Sequence, residues 1–179
     1  GKHYTCFVMI GQHSLYDGKQ GYWKECCIEL DYKLLTEVFK IPKEEIIFVE
    51  DLWLGTGAYG YSLEYFVRGL ELGNAVFTEF LITPQGSKPM PYKVIDMGAG
   101  LERFPWITNG TPTSYDVVFE PVLKKLRTKF GIAYDKDFFL RYAKFAGRLN
   151  IDEVGDINKA KESIAKALGV DVKELIEKT

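Results

Sequence analysis

Two strand-like runs that lie close together in the chain restrict its fold most. LEYFV (63–67) and LGNAVFTEFLI (72–82) are rich in aromatic and branched residues, and only four residues separate them. Further strand-like runs lie nearby, and helical segments lie beside them rather than regularly between them. This order favours a mostly antiparallel α+β sheet flanked by helices over a βαβ array.

The remaining elements follow from apolar spacing and from Gly and Pro. Apolar runs predict three more strands, at residues 4–11, which we expect to be buried, 46–49 and 92–97. Stretches rich in Gly or Pro predict a loop at 52–62 and a turn-rich connection at 83–91. Helices are predicted at about 20–40, from GLERFPWI (100–107) onward, and at 114–130, where Ser114 or Asp116 would be the N-cap.

The composition changes after Gly131, where Gly and Pro become rare and Lys, Glu and Ala become frequent. This change predicts a boundary near residue 131 and a helical extension over 131–179. The chain begins with Gly1 and soon enters an apolar run, which suggests a piece of a longer protein.

Charge and cysteine content narrow the function classes. The net charge is −2, so no global positive field attracts nucleic acid, and no apolar run reaches the ~20 residues that span a bilayer. The three cysteines lack CxxC spacing, which favours reduced thiols and the cytoplasm. His3 and His13 have no cysteine at metal-ligand spacing, so no metal site is expected.

The stretch VIDMGAGLERFPW (94–106) carries the strongest chemical signal. Asp96 ends an apolar run, Gly98 and Gly100 allow close approach to the backbone, and Arg103 falls in the first turn of a predicted helix. A helix start with a guanidinium suits an anion, and the nearby carboxylate suits an ammonium. The alternative is a strand–helix turn with a surface Glu-Arg pair, and spacing alone leaves both open.

A second glycine-rich stretch, LGTGAYGYS (54–62), matches G-x-G-x-x-G at Gly55, Gly57 and Gly60. A dinucleotide site requires a helix directly after this pattern, whereas YSLEYF alternates like a strand. A protein kinase would need V-A-I-K, H-R-D and D-F-G downstream, and none occurs. The pattern therefore favours a surface loop over either phosphate-binding site.

Several strings together resemble one family. MGAGLER resembles motif 3 of class II aminoacyl-tRNA synthetases, in the form found in alanyl-tRNA synthetases. HYTCFVMIGQHS (3–14) is similar to the second strand of that family's motif 2. Residues 50–80 resemble the middle of the catalytic domain in its archaeal branch, and GTPTSYDVVFEPVL (110–123) is similar to the segment after motif 3. The chain is thus identified as an internal piece of a class II catalytic domain.

The resemblance implies two sets of site residues. Those implied for ATP are Phe7, Met9, Gly100 and Arg103. Those implied for alanine are Trp53, Asn74, Asp96 and Gly98. Phe7 and Arg103 would cover the two faces of the adenine, and Arg103, the implied catalytic residue, would also reach the γ-phosphate. Asp96 would take the α-ammonium of alanine.

The sequence also departs from the family pattern at several positions of these motifs. Val8 replaces a usual Glu, Gln12 and His13 replace Asn and Phe, and Ala99 replaces Met. These changes bear on details of the ATP contacts more than on the class.

The implied activity is that of an alanine–tRNA ligase, which uses ATP with Mg²⁺, L-alanine and tRNA(Ala). Residues 1–130 would run from the second motif 2 strand to motif 3, and 131–179 would lead toward the tRNA-recognition domain. Motif 1 and a phosphate-binding arginine would precede Gly1, so this chain alone is expected to be inactive. The alternatives are a class II-like module that binds ATP or an amino acid without transfer, and a purely structural α+β domain.

Overall fold

The computed structural model describes residues 4–132, 135–149 and 155–179, which form two compact units. One unit is Cys6–Thr108, and the other is Asn109–Thr179 with the described part of Gly1–Thr5. The compact units divide at Thr108, while the functional division near residue 131 stays a prediction. His3, considered above as a metal ligand, lies outside the described residues.

The first unit is built on a five-stranded antiparallel sheet in the order β1-β5-β4-β3-β2. Its strands are β1 (Met9–Tyr16), β2 (Ile46–Leu54), β3 (Ala58–Val67), β4 (Leu70–Thr83) and β5 (Gly86–Gly100). Strands β2 to β5 follow each other as hairpins, and β1 pairs with β5 at the far edge. The predicted antiparallel α+β class is confirmed.

The predictions of a loop at 52–62 and of a turn-rich connection at 83–91 are wrong, because most residues of both stretches belong to the strands of hairpins. The predicted loop at 52–62 belongs to β2 and β3, and its tight turn is closed by the Gly55 N–H donating to the Ala58 carbonyl at 3.0 Å. Only Gly57 there has a positive φ, so the other glycines fit a strand end. The stretch 83–91 turns near Gly86 and continues as β5, where Pro89 pairs with Phe80 beside a bulge.

The first strand lies later in the chain than residues 4–11. β1 spans Met9–Tyr16 because it pairs with Lys93–Gly100 of β5. The expectation that it is buried is also wrong, since β1 is an edge strand with alternating exposure and Met9 is 58% exposed.

Helix α1 (Lys24–Lys33) covers one face of the sheet and continues into a π-helical turn at Leu34–Val38. Side chains from α1 and from the covered face form the core, including Cys27, Leu35, Tyr65, Phe77 and Met97. Helix α2 (Arg103–Asn109) follows β5 directly. The opposite face of the sheet carries the candidate ligands that lie on strands: Met9, Trp53, Asn74, Asp96, Gly98 and Gly100.

The second unit is helical. Its helices are α3 (Tyr115–Val118), α4 (Glu120–Phe130), α5 (Lys136–Ala143), α6 (Ile157–Leu168) and α7 (Val172–Lys178). The helix predicted at 114–130 is thus two helices, separated at Phe119 by a φ of −116°, and Ser114 makes no side-chain cap hydrogen bond. The aspartates Asp135, Asp156 and Asp171 cap the last three helices through backbone N–H groups.

A buried polar contact lies in the core between α1 and β1. Asp31 is only 3% exposed, and the Cys27 thiol lies 3.7 Å from its Oδ2 and 3.3 Å from the Gln12 Oε1. Burial raises the pKa of the Asp31 carboxyl to about 6 and, first among several causes, that of the Cys27 thiol to about 12.

The free energy of unfolding should therefore fall as the pH rises from about 4 to about 6. In this window the folded protein holds the Asp31 proton more firmly than the unfolded chain, whose carboxyl has a pKa of 3.8. Asp31→Asn cannot ionise, so its gain in stability over the wild type should be about 2 kcal/mol larger at about pH 7.5 than at about pH 4.5. Urea denaturation at about pH 4.5 and pH 7.5 measures this. The gain should be clearly smaller at the lower pH, where only the unfolded chain is largely ionised, and an equal gain at both would show that ionisation is not its cause.

Candidate functional site

The sheet face opposite α1 has a floor of glycines where β1, β4 and β5 meet. In the register of the sheet, Gly98 lies between Gly11 of β1 and Asn74 of β4, and Gly100 lies opposite Met9. Directly paired residues of antiparallel strands point to the same face, so these positions share the open face. We call Gly11, Gly98 and Gly100 the glycine floor.

Two side chains reach over this floor. A Cβ at Gly98 would stand 2.6 Å from the Met9 Cε, and a Cβ at Gly11 would stand 2.6 Å from the His13 Nε2. Both distances are shorter than any ordinary contact, so the glycines make room for the Met9 and His13 side chains. At Gly98 the backbone of β5 carries no side chain of its own, and the Met9 Cε lies over it.

Asp96 lies on the same face, two residues before Gly98 in β5. It pairs with His13 of β1 and with Val76 of β4. The His13 Nδ1 lies 3.1 Å from the Asp96 Oδ1, and the two side chains are 69% and 57% exposed. A carboxylate on this face is therefore accessible to a solute.

Asn74 is next to the glycine floor and has an unsatisfied oxygen. Its Oδ1 is buried and accepts no hydrogen bond from any residue that the structure describes. A buried acceptor without a donor costs free energy, so a donor on a bound molecule would relieve that cost. This is the residue predicted beside alanine.

Acidic residues that the sequence reasoning missed extend across the same face. Glu64 of β3 pairs with Asn74, and Asp51 of β2 pairs with Ser62 in the row of Asp96. Burial raises the pKa of the Glu64 carboxyl, and the Glu71 and Asp51 carboxylates raise it further. The sequence does show an acidic residue, Glu64, inside the apolar run LEYFV. Its position beside Asn74, however, follows only from the register between β3 and β4.

Arg103 begins α2 and lies against the floor. Its Cδ would be 3.4 Å from a Cβ at Gly100, and its side chain is 19% exposed. The guanidinium Nη1 donates to the Glu71 carbonyl at 2.6 Å and lies 3.2 Å from the Glu71 Oε2. Arg103 therefore connects α2 to the start of β4, in addition to any contact with a ligand.

Phe7 is held at the same corner through its neighbour. The Val8 N–H donates to the Glu102 Oε1 at 2.9 Å, and the Leu101 N–H donates to the Val8 carbonyl at 2.9 Å. The Phe7 side chain is 47% exposed, whereas Glu102 is 6% exposed. The alternative of a surface Glu-Arg pair is thus wrong, because Glu102 is buried. Its carboxylate binds the Val8 N–H and so connects the segment before β1 to the start of α2.

Trp53 is the predicted site residue that the structure does not bring beside Asp96. It lies on β2, the edge strand opposite β1, where it pairs with Gly60 and its indole covers Gly55. β2 is three strands from β5, which is roughly 14 Å at the usual strand spacing. The role of Trp53 at an alanine site stays a prediction from the resemblance.

Two features are absent from the described ranges 4–132, 135–149 and 155–179. No group of three or more His, Cys, Asp or Glu residues there is arranged to hold a metal ion. No described helix is long and apolar enough to cross a bilayer.

Comparison with known proteins gives a consistent result. A family model described as "tRNA synthetases class II (A)" matches residues 1–179. The alanine–tRNA ligase of Nitrosopumilus maritimus is 51% identical over 170 residues, which are 95% of this chain and 19% of that protein. The alanine–tRNA ligase of Cenarchaeum symbiosum is 50% identical over 171 residues, which cover 95% of this chain and 19% of that protein. That of Pyrococcus furiosus is 35% identical over 190 residues, which cover 98% of this chain and 21% of that protein. The chain thus spans about a fifth of these relatives.

Proposed function

The chain belongs to the tRNA synthetases class II (A), and from this premise we propose that it is part of the catalytic region of an alanine–tRNA ligase. The whole protein would activate L-alanine with ATP to alanyl-adenylate and then transfer alanine to tRNA(Ala). Residues 1–130 would belong to the catalytic domain, and 131–179 would lead to the tRNA-recognition part. The site of action would be the cytoplasm.

The observation that carries this proposal is the arrangement on the open face of the sheet. An accessible carboxylate, a glycine floor and a guanidinium lie in sequence along β5 and the start of α2, at Asp96, Gly98 and Arg103. The two charged groups are opposite in sign and seven positions apart. A ligand that carries an ammonium at one end and phosphates at the other suits such a face.

The amino acid would bind over the middle of β5, beside Asp96 and Asn74. Asp96 would accept hydrogen bonds from the α-ammonium, and the unsatisfied Asn74 Oδ1 would accept another from the substrate. Gly98 would let the substrate approach the backbone after the Met9 side chain, whose Cε lies over it, has moved aside. The acidic residues Glu64 and Asp51 would add to the attraction for a cation. Trp53 belongs to this set by resemblance alone.

ATP would bind toward the corner between β1 and α2. Phe7 would stack on one face of the adenine, Arg103 would cover the other and contact the γ-phosphate, and Met9 and Gly100 would line the floor beneath. Mg²⁺, bound with ATP, would neutralise part of the phosphate charge. The carboxylate oxygen of alanine would form a bond to the α-phosphorus, and the bond to pyrophosphate would break.

A second candidate is a module that binds ATP or an amino acid without transfer. It is favoured by the contact of Arg103 with Glu71, because a guanidinium already engaged in this way can serve packing alone. In that case the open face would bind ligands but would not stabilise the charge that develops in adenylate formation.

ATP–pyrophosphate exchange by the complete protein that contains this segment separates the two candidates. The ligase should exchange pyrophosphate when alanine is supplied, and serine and glycine should be poorer substrates by amounts of about 1–3 kcal/mol. The isolated 179-residue chain should show no exchange, because the resemblance implies that half of the phosphate contacts come from elsewhere. Binding of ATP without alanine-dependent exchange by the complete protein would favour the module.

A further inference from the structure

We propose that Glu102 is a positioning residue for ATP and that it acts by fixing Phe7 through the backbone of Val8. The inference deepens the proposed function and rests on it, because it takes Phe7 as the side chain that stacks on the adenine. It starts from a carboxylate that is only 6% exposed and that accepts a hydrogen bond from a residue 94 positions earlier in the chain.

The hydrogen bonds of Val8 lie where the pairing of β1 with β5 ends. Met9 and Gly100 are the terminal pair of the two strands at this end. One residue further, the Leu101 N–H still donates to the Val8 carbonyl at 2.9 Å. The Val8 N–H donates to the Glu102 carboxylate, at 2.9 Å from Oε1 and 3.2 Å from Oε2. A side chain thus supplies the acceptor that a strand carbonyl would supply, because the backbone after β5 turns into α2.

The contact restricts Phe7 without touching its ring. The Phe7 side chain is 47% exposed, so packing covers only part of it. The peptide bond between Phe7 and Val8 is planar, so an anchored Val8 N–H also fixes the Phe7 carbonyl and limits the Phe7 ψ angle. The direction in which the ring leaves the backbone therefore depends on the position of the Glu102 carboxylate.

The same carboxylate is next in sequence to Arg103, which is proposed to cover the other face of the adenine. The Arg103 guanidinium is itself held, because its Nη1 donates to the Glu71 carbonyl at 2.6 Å. Both proposed adenine contacts are thus connected to the start of α2, Arg103 directly and Phe7 through Glu102. A flat base needs its two neighbours at a fixed separation, so loss of the Glu102 contact should loosen the space for the base.

A purely structural role for Glu102 is the alternative, in which it only connects the segment before β1 to α2. A buried carboxylate contributes to stability only when its hydrogen bonds offset the cost of its desolvation. The two roles differ in one measurable respect. A positioning role requires that the effect of Glu102 on ATP binding depend on the Phe7 ring, whereas a structural role does not.

The test is a double-mutant cycle in the complete ligase, with Glu102→Ala and Phe7→Ala made singly and together. Phe7→Ala should raise the KM for ATP about tenfold, because the stacking of a base on an aromatic ring is lost. Glu102→Ala should raise this KM about fivefold when Phe7 is present and less than about twofold in the Phe7→Ala background. The KM for alanine at saturating ATP is the internal control and should stay close to the wild-type value in all three variants.

Two further variants at position 102 keep the test informative if Glu102→Ala folds poorly. Glu102→Gln keeps the length of the side chain and one acceptor oxygen, so it should restore most of the wild-type KM for ATP. Glu102→Asp keeps the charge but is one methylene shorter, so it should raise this KM almost as much as Glu102→Ala. Kinetics measured well below the melting temperature of each variant separate these effects from unfolding.

Three results would overturn the inference. A wild-type KM for ATP in Glu102→Ala and Glu102→Asp, with a raised KM in Phe7→Ala, would overturn only the role of Glu102. An equal rise caused by Glu102→Ala in the presence and absence of the Phe7 ring would show that Glu102 acts by another route. An unchanged KM for ATP in Phe7→Ala would overturn the stacking role in the proposed function, and this inference with it.

Discussion

Asp96→Asn in the complete ligase should raise the KM for alanine about 10- to 100-fold and change the KM for ATP by less than about twofold. The change keeps the size of the side chain and removes the charge that the proposed site offers to the α-ammonium. A hydrogen bond to a charged group contributes roughly 1.5–3 kcal/mol, which sets the range. ATP–pyrophosphate exchange at varied alanine and varied ATP gives both constants.

The stability of this variant provides the control. Asp96 lies within β5, and the following helix begins only at Arg103, so Asp96 does not cap that helix. Its ion pair with His13 joins two well-exposed side chains, and such pairs contribute about 0–1 kcal/mol. The melting temperature should therefore hardly change. An unchanged alanine KM would refute the ammonium role whatever the stability.

Arg103→Ala should raise the KM for ATP and lower kcat, with a combined loss of roughly 1.5–3 kcal/mol in kcat/KM, or about 10- to 100-fold. The guanidinium at the start of α2 is the group proposed to meet the adenine and the γ-phosphate. The melting temperature should fall as well, because the same guanidinium joins α2 to the Glu71 carbonyl and carboxylate of β4. Kinetics well below the melting temperature separate the two effects.

Glu71→Gln is the matched variant for Arg103→Ala. It keeps the backbone carbonyl that accepts from Arg103 and removes only the ion pair, in which the two side chains are 19% and 38% exposed. We expect a small loss of stability and a nearly normal KM for ATP. If Arg103→Ala also showed normal ATP kinetics while folded, Arg103 would serve only to anchor α2 to β4.

Local sequence patterns were sufficient to predict the strands whose residues have both a high strand propensity and a buried position in the sheet. The runs 63–67 and 72–82 lie within β3 and β4, and VIDM lies within β5, because apolar and branched residues suit a buried pleated surface. Their closeness in the chain also predicted antiparallel pairing. The glycines between Asp96 and Arg103 indicated close approach to the backbone, and the Met9 and Arg103 side chains make that approach at Gly98 and Gly100.

Features that depend on pairing between distant segments could not be predicted. Glycines suggested a loop at 52–62, but cross-strand pairing made it a hairpin in which only Gly57 needs a positive φ. The register of β1 is set by β5, so the start of the strand was misplaced. The alternative of a surface Glu-Arg pair stayed open, because the partner that Glu102 has in the fold, the Val8 N–H, is 94 residues away in sequence. The same holds for Glu64, whose position beside Asn74 depends on the β3–β4 register.

The strand order has a consequence for how the nascent protein folds. Strands β2 to β5 form a meander of sequence neighbours, whereas β1 pairs with a strand about 80 residues downstream. Local hairpins close with a small entropic cost, and the long-range pairing of β1 closes last. At ribosomal rates of about 5–20 residues per second, β1 stays unpaired for several seconds after it is made. The floor formed by Gly11 and Gly98 and the contact between His13 and Asp96 both join β1 to β5, so the proposed site would be among the last parts of the sheet to form.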